Sequence, residues 1–122
     1  MEEVKEPILV PTSLDRLEAM LKRDAVVELV RVYIEEGYKT VAAIKASLDK
    51  NDIPSLRHYA HDLKGTSGNF GLMRLHIAAQ SLEHAAKTEE LDKIPSLANP
   101  IPDLFAEGIL ALKERFKGIN LR

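Results

Sequence analysis

Residues 24–50, DAVVELVRVYIEEGYKTVAAIKASLDK, carry apolar or small residues at alternating spacings of three and four. The series comprises Val27, Val30, Ile34, Gly37, Val41, Ile44 and Leu48. Residues at these spacings lie on one face of an α-helix, so the stretch predicts a long helix with one buried face. The strict alternation that indicates a β-strand is absent from the whole sequence.

Three more segments of the chain show the same helical period. The first follows a turn with a capping Asp52. The residues on its buried face, which we call its seam, are Ile53, Leu56, Ala60, Leu63 and Ser67. Residues 68–71 (GNFG) predict a turn, and the second segment has the seam Leu72, Leu75, Ala79, Leu82 and Ala86. The third ends near Phe116, but three prolines within residues 88–102 leave its start open.

Four substantial helices with short connections predict an all-α fold, an antiparallel up-and-down four-helix bundle. A short extra N-terminal helix, capped by Thr12 or Ser13, is expected to cover one side. We therefore expect an N-terminal tail over residues 1–11 and one helical domain over residues 12–122. The initial Met1 and the lack of ragged linkers favour a whole protein over a fragment.

The composition limits the classes of function. A net charge of -2 gives no support for nucleic-acid binding, and no apolar stretch is long enough to suggest a membrane span. There is no basic, apolar leader of the kind that directs secretion. The absence of cysteine removes disulfides and thiolate sites. We expect a cytoplasmic protein.

Chemistry concentrates in residues 59–72, YAHDLKGTSGNFGL. His61, Lys64, Gly65 and Gly68 share one helix face because they are separated by three, four or seven residues. Each glycine inside a helix costs about 1 kcal/mol relative to alanine, so something must gain from the missing side chains. Either a partner approaches the imidazole closely, or the glycines allow another helix to pack.

A carboxylate is expected opposite the imidazole. His61 follows the seam residue Ala60, and Glu83 follows the seam residue Leu82 on the next helix. An antiparallel pair brings the two together if the turn is centred near Leu72. A carboxylate that accepts a hydrogen bond from Nδ1–H leaves Nε2 outward as a nucleophile, and Lys64 offers a cation to an arriving anion.

The string Ala60-His61-x-Leu63-Lys64-Gly65, with Ser67, Phe70 and Gly71 after it, resembles the signature of histidine-containing phosphotransfer (HPt) domains. The resemblance implies a phosphocarrier of multistep two-component signalling. It makes His61 the phosphorylated residue, and it implies a phosphate-stabilising Lys64. Glu83 matches a position that orients the histidine, and Gly65 matches the small residue beside which a receiver domain docks.

Further expectations follow from this resemblance. The partners would be response-regulator receiver domains and a histidine kinase or hybrid kinase, with no nucleic acid and no membrane. They would dock on a monomer around Gly65, Gly68, Arg57 and His58. No ATP-binding motif is present, so the chain is not expected to be an enzyme. It would hold no cofactor or metal, and Mg²⁺ would come from the receiver.

Two other interpretations remain open: the phosphorylated domain of a chemotaxis-like histidine kinase, which this motif also resembles, and a non-catalytic helical interaction module. A metal site built from His58, His61, Glu83 and His84 lacks supporting acidic or cysteine ligands. His76 and His84 are expected to be ordinary surface residues, and His58 is either solvated or at the edge of the docking surface.

Overall fold

The computed structural model describes residues 6–121 and is helical, with no strand in that range. The helices are α1 (Pro11–Met20), α2 (Arg23–Asp49), α3 (Ile53–Asn69), α4 (Met73–Lys87), α5 (Ile94–Ala98) and α6 (Ile101–Arg115). Residues 1–5 of the predicted tail lie outside the described residues. Among the helices that are described, none is both long and apolar enough to cross a membrane.

Helices α2, α3, α4 and α6 form the four-helix bundle, which confirms the predicted fold class. Helix α2 packs on α3 and α6, and α4 packs on the same two helices. The ring of Phe105 on α6 covers Gly37 on α2, whereas Asn120, beyond α6, accepts a hydrogen bond from Arg31 near the start of α2. The two helices are therefore antiparallel.

The predicted seams form the core. Side chains buried at the centre of the bundle come from all four helices and include Val30, Ile34, Leu56, Leu63, Leu75, Leu82, Phe105 and Leu112. One polar contact lies among them, because the Tyr33 hydroxyl and the Ser67 hydroxyl are 2.8 Å apart and both residues are buried. The motif residue Phe70 packs against the ring of Tyr33, with 5.0 Å between centroids.

The start of α1 differs from the prediction that Thr12 or Ser13 caps it. The helix begins at Pro11, its N-cap residue is Val10, and no side chain caps it. Proline suits the first helical position because its missing N–H has no intrahelical partner there. Leu14 is fully buried, and the backbone N–H of Val10 donates to the Gly71 carbonyl at 2.7 Å, which attaches the preceding segment to the α3–α4 turn.

The turn between α3 and α4 lies later than the string Gly68–Gly71 predicted. Helix α3 continues through Gly68 to Asn69, and the turn consists of Phe70, Gly71 and Leu72. Gly71 has φ +77°, a conformation that favours glycine. The shift matters because it centres the α3–α4 hairpin where residues 61 and 83 face each other.

The proline-rich segment resolves into two helices. Pro95 lies in the first turn of α5, and Pro102 lies in the first turn of α6. Proline is tolerated in a first turn because the N–H groups there have no intrahelical acceptor. The start of the last helix, which the sequence left open, is therefore Ile101.

Candidate functional site

His61 lies on the exposed face of α3, one residue after the buried Ala60. Its side chain is 63% exposed. The sequence placed it at the flank of the buried stripe, and the structure puts it further towards solvent. An imidazole in this position is open to a large partner.

Glu83 of α4 faces His61 across the helix pair. His61 Nδ1 lies 2.7 Å from Glu83 Oε2. In the neutral ring the carboxylate can only accept, so Nδ1 carries the hydrogen and Nε2 keeps its lone pair. This is the contact that the helix registers predicted, and it depends on a hairpin centred near Leu72.

Glu83 also binds Lys64, whose Nζ donates to Oε1 at 2.7 Å. The carboxylate thus uses one oxygen for each partner and is only 16% exposed. Burial alone would raise the pKa of Glu83, but the hydrogen bonds from Lys64 and His61 outweigh it and hold that pKa below its ordinary value. Glu83 is therefore a fixed negative charge beneath the imidazole at neutral pH.

The two glycines of the motif differ in their surroundings. A Cβ added at Gly65 would meet no atom within 4 Å, so Gly65 faces open space. A Cβ added at Gly68 would lie 2.9 Å from His76 Nδ1. The sequence left two explanations for bare backbone here, access for a partner and helix packing. The structure supplies a packing reason for Gly68 and leaves Gly65 open.

His76 was expected to be a plain surface residue, and that expectation is wrong. It is partly buried, and its Nδ1 lies 2.8 Å from the backbone oxygen of Lys64. The spacing offered a signal, because His76 and Glu83 are seven residues apart and share one face of α4. His84, by contrast, is exposed as predicted, 3.9 Å from Glu90.

A shallow groove between α3 and α4 contains His61; we call it the α3–α4 groove. Its lining residues are Pro54, Arg57, His58, His61, Glu83 and Lys87. The predicted docking residues Arg57 and His58 are both exposed, and His58 Nε2 is 3.5 Å from Asp62. Lys87 was not predicted from the sequence, although it lies one turn after Glu83 on the same helix.

The structure does not gather a metal-ligand set at this site. Across residues 6–121, no three His, Cys, Asp or Glu side chains are placed to hold one ion. In particular, the set of His58, His61, Glu83 and His84 does not converge. What the residues do provide is an exposed imidazole, held through one nitrogen and free at the other.

Comparisons with known proteins identify a family and a similar structure. The Hpt domain family matches residues 28–116. The crystal structure of histidine-containing phosphotransfer protein B (HptB) from Pseudomonas aeruginosa PAO1 superposes with a TM-score of 0.86 at 26% sequence identity, over 95% of this chain and 100% of that one. A comparison with curated proteins gives no match. Since the family match covers most of the chain and all of the site, the chain belongs to the Hpt domain family.

Proposed function

We propose that this chain is a phosphocarrier of a two-component phosphorelay, without a kinase activity of its own. His61 Nε2 accepts a phosphoryl group from a receiver-domain aspartate or from a histidine kinase, and it passes the group to a response-regulator aspartate. One observation carries the proposal: an imidazole on an exposed helix face, whose Nδ1 is held 2.7 Å from an oxygen of the partly buried Glu83 carboxylate. The family membership supports it.

The transfer is an in-line displacement at phosphorus. The Nε2 lone pair forms the N–P bond while the P–O bond to the donor aspartate breaks, and the aspartate leaves as a carboxylate. The imidazole then carries a positive charge, since Nδ1 keeps its hydrogen. The Glu83 carboxylate lies against that charge. Lys64, for which the resemblance implies a phosphate-stabilising role, donates to the other oxygen of Glu83 and holds the carboxylate beneath the ring. Mg²⁺ for the reaction comes from the receiver.

The receiver docks on the exposed side of α3. Gly65 lies one turn after His61 and has open space where a side chain would be, so the edge of a receiver's active site can approach the imidazole there. Arg57 and His58 are exposed on the other side of His61. Because His76 covers Gly68, we centre the docking surface on Gly65. The carrier works as a monomer in the cytoplasm, where receivers operate.

The test is transfer from a receiver domain labelled with ³²P-phosphate. Mixed with the labelled receivers of the same organism, the chain should take up label that is lost in acid and stable in alkali, as expected of a phosphohistidine. His61→Gln should abolish the uptake. The control His84→Gln removes another exposed imidazole, outside the α3–α4 groove, and should retain it. Label that persists in His61→Gln would contradict the proposal.

A further inference from the structure

The charges around His61 do not balance once it is phosphorylated. A phosphoryl group brings about two negative charges at neutral pH. Lys64 carries one positive charge, but its Nζ donates to Glu83 at 2.7 Å and its side chain is only 27% exposed. Glu83 and Lys64 together are therefore neutral. The imidazolium formed on transfer offsets one charge of the phosphoryl group, and the other needs a cation from elsewhere.

Two cations in the α3–α4 groove have no partner among residues 6–121. Within residues 6–121, neither the Arg57 guanidinium nor the Lys87 ammonium takes part in a side-chain hydrogen bond or an ion pair. Other polar groups of the groove are engaged: His58 pairs with Asp62, and His61 pairs with Glu83. An exposed, unpaired cation can turn towards a new anion without first breaking a contact.

The positions of these two residues suit the phosphoryl group. Arg57 precedes His61 by four residues on α3, and Lys87 follows Glu83 by four residues on α4. In an antiparallel pair both therefore lie on the same side of the His61–Glu83 contact, one turn away, and Lys64 lies on the opposite side. Their long side chains can reach the imidazole from one helix each.

We propose that Arg57 and Lys87 form a phosphoryl-binding subsite that holds the dianionic group on Nε2, while Lys64 remains bound to Glu83 as a positioning residue. The inference rests on the proposed function, because it concerns the phosphorylated state of His61. The two cations then outweigh the negative charge that remains on the phosphoryl group, and the planar guanidinium of Arg57 can bind two phosphoryl oxygens at once.

The test uses phosphoramidate, a donor too small to need a docking surface. Nε2 attacks its phosphorus, the P–N bond breaks and ammonia leaves. The variant Arg57→Gln/Lys87→Gln removes both cations of the subsite. The matched control Arg16→Gln/Lys113→Gln removes two exposed cations on α1 and α6, which also have no ion pair within the described residues. Circular dichroism checks that both variants fold.

We expect the subsite variant to be phosphorylated about fivefold more slowly than the control variant, as expected for the loss of two exposed charge-assisted contacts. The difference should shrink in 1 M salt, where charges are screened within about 3 Å. Equal rates for the two double variants, with wild type labelled on His61, would overturn the subsite alone. Failure of wild type to take label on His61 would overturn the proposed function and the subsite together.

Discussion

His76 Nδ1 lies 2.8 Å from the backbone oxygen of Lys64. A carbonyl can only accept, so the hydrogen is on Nδ1 and the ring is held against α3. The same ring occupies the space above Gly68. Besides their apolar packing, α4 thus holds this part of α3 through the polar side chains of His76 and, seven residues later, Glu83. Both contacts oppose sliding of one helix along the other.

Replacing Gly65 and Gly68 by alanine, one at a time, tests whether helix packing requires a glycine at each position. Gly65→Ala should stabilise the fold by about 0.5–1 kcal/mol, because alanine favours the helix and its methyl group meets nothing. Gly68→Ala gains the same propensity but forces the His76 ring away, so it should be less stable than Gly65→Ala by about 1–3 kcal/mol. Urea unfolding followed by circular dichroism measures both.

The variant His76→Ala provides the control for that comparison. In a His76→Ala background the ring is gone, so adding Gly68→Ala should no longer be destabilising. If Gly68→Ala were as stable as Gly65→Ala in the wild-type background, the contact between Gly68 and His76 would not explain the glycine.

Gly65→Ala should also separate docking from chemistry. The added methyl group lies on the exposed surface one turn from His61, where the receiver is proposed to approach. We expect slower phosphoryl transfer from a receiver and an unchanged rate with phosphoramidate. The measurement is the ratio of the two initial rates, normalised to wild type. A loss with both donors would instead indicate that Gly65 affects the imidazole itself.

The sequence predicted the bundle because the apolar periodicity of all four main helices agrees with their buried faces, as at Val30 and Leu82. The same periodicity predicted the His61–Glu83 contact, because His61 and Glu83 each directly follow a seam residue on neighbouring helices. It misplaced the turn, because a Gly-Asn string is a strong local turn signal and the packing that keeps Gly68 helical is tertiary. The seven-residue spacing of His76 and Glu83 placed both on one face of α4, but the acceptor of His76 is a backbone oxygen, which the spacing does not reveal.

Glu83 should make stability depend on pH in the acid range. Its pKa in the folded protein is below its ordinary value: burial acts to raise it, and the bonds from Lys64 and His61 more than offset that. In the acid range the Glu83 carboxyl therefore binds more protons in the unfolded chain than in the folded one. The contribution of Glu83 to the free energy of unfolding is present above the unfolded pKa, about 4.3, and is lost as pH falls through the folded pKa.

The corresponding variant is Glu83→Gln, which keeps an oxygen that can accept from Nδ1 but cannot titrate. Unfolding by urea at several pH values between about 6 and 3 should show a shallower loss of stability in the variant than in wild type. Asp52→Asn is the control, because the pKa of Asp52 is also lowered, by hydrogen bonds from Ser55, at a site remote from His61. If the stability of Glu83→Gln and of wild type fell in parallel with pH, Glu83 would not be a source of the pH dependence.

The buried hydroxyl pair of Tyr33 and Ser67 should hold α2 against α3 beside the site. Tyr33→Phe leaves the fully buried Ser67 without this partner, and Ser67→Ala leaves the Tyr33 hydroxyl without its own. Each change should lower the free energy of unfolding by about 1–2 kcal/mol. The double variant removes both polar groups together, so its loss should be smaller than the sum of the two single losses. Additive losses in that cycle would show that the two hydroxyls do not interact.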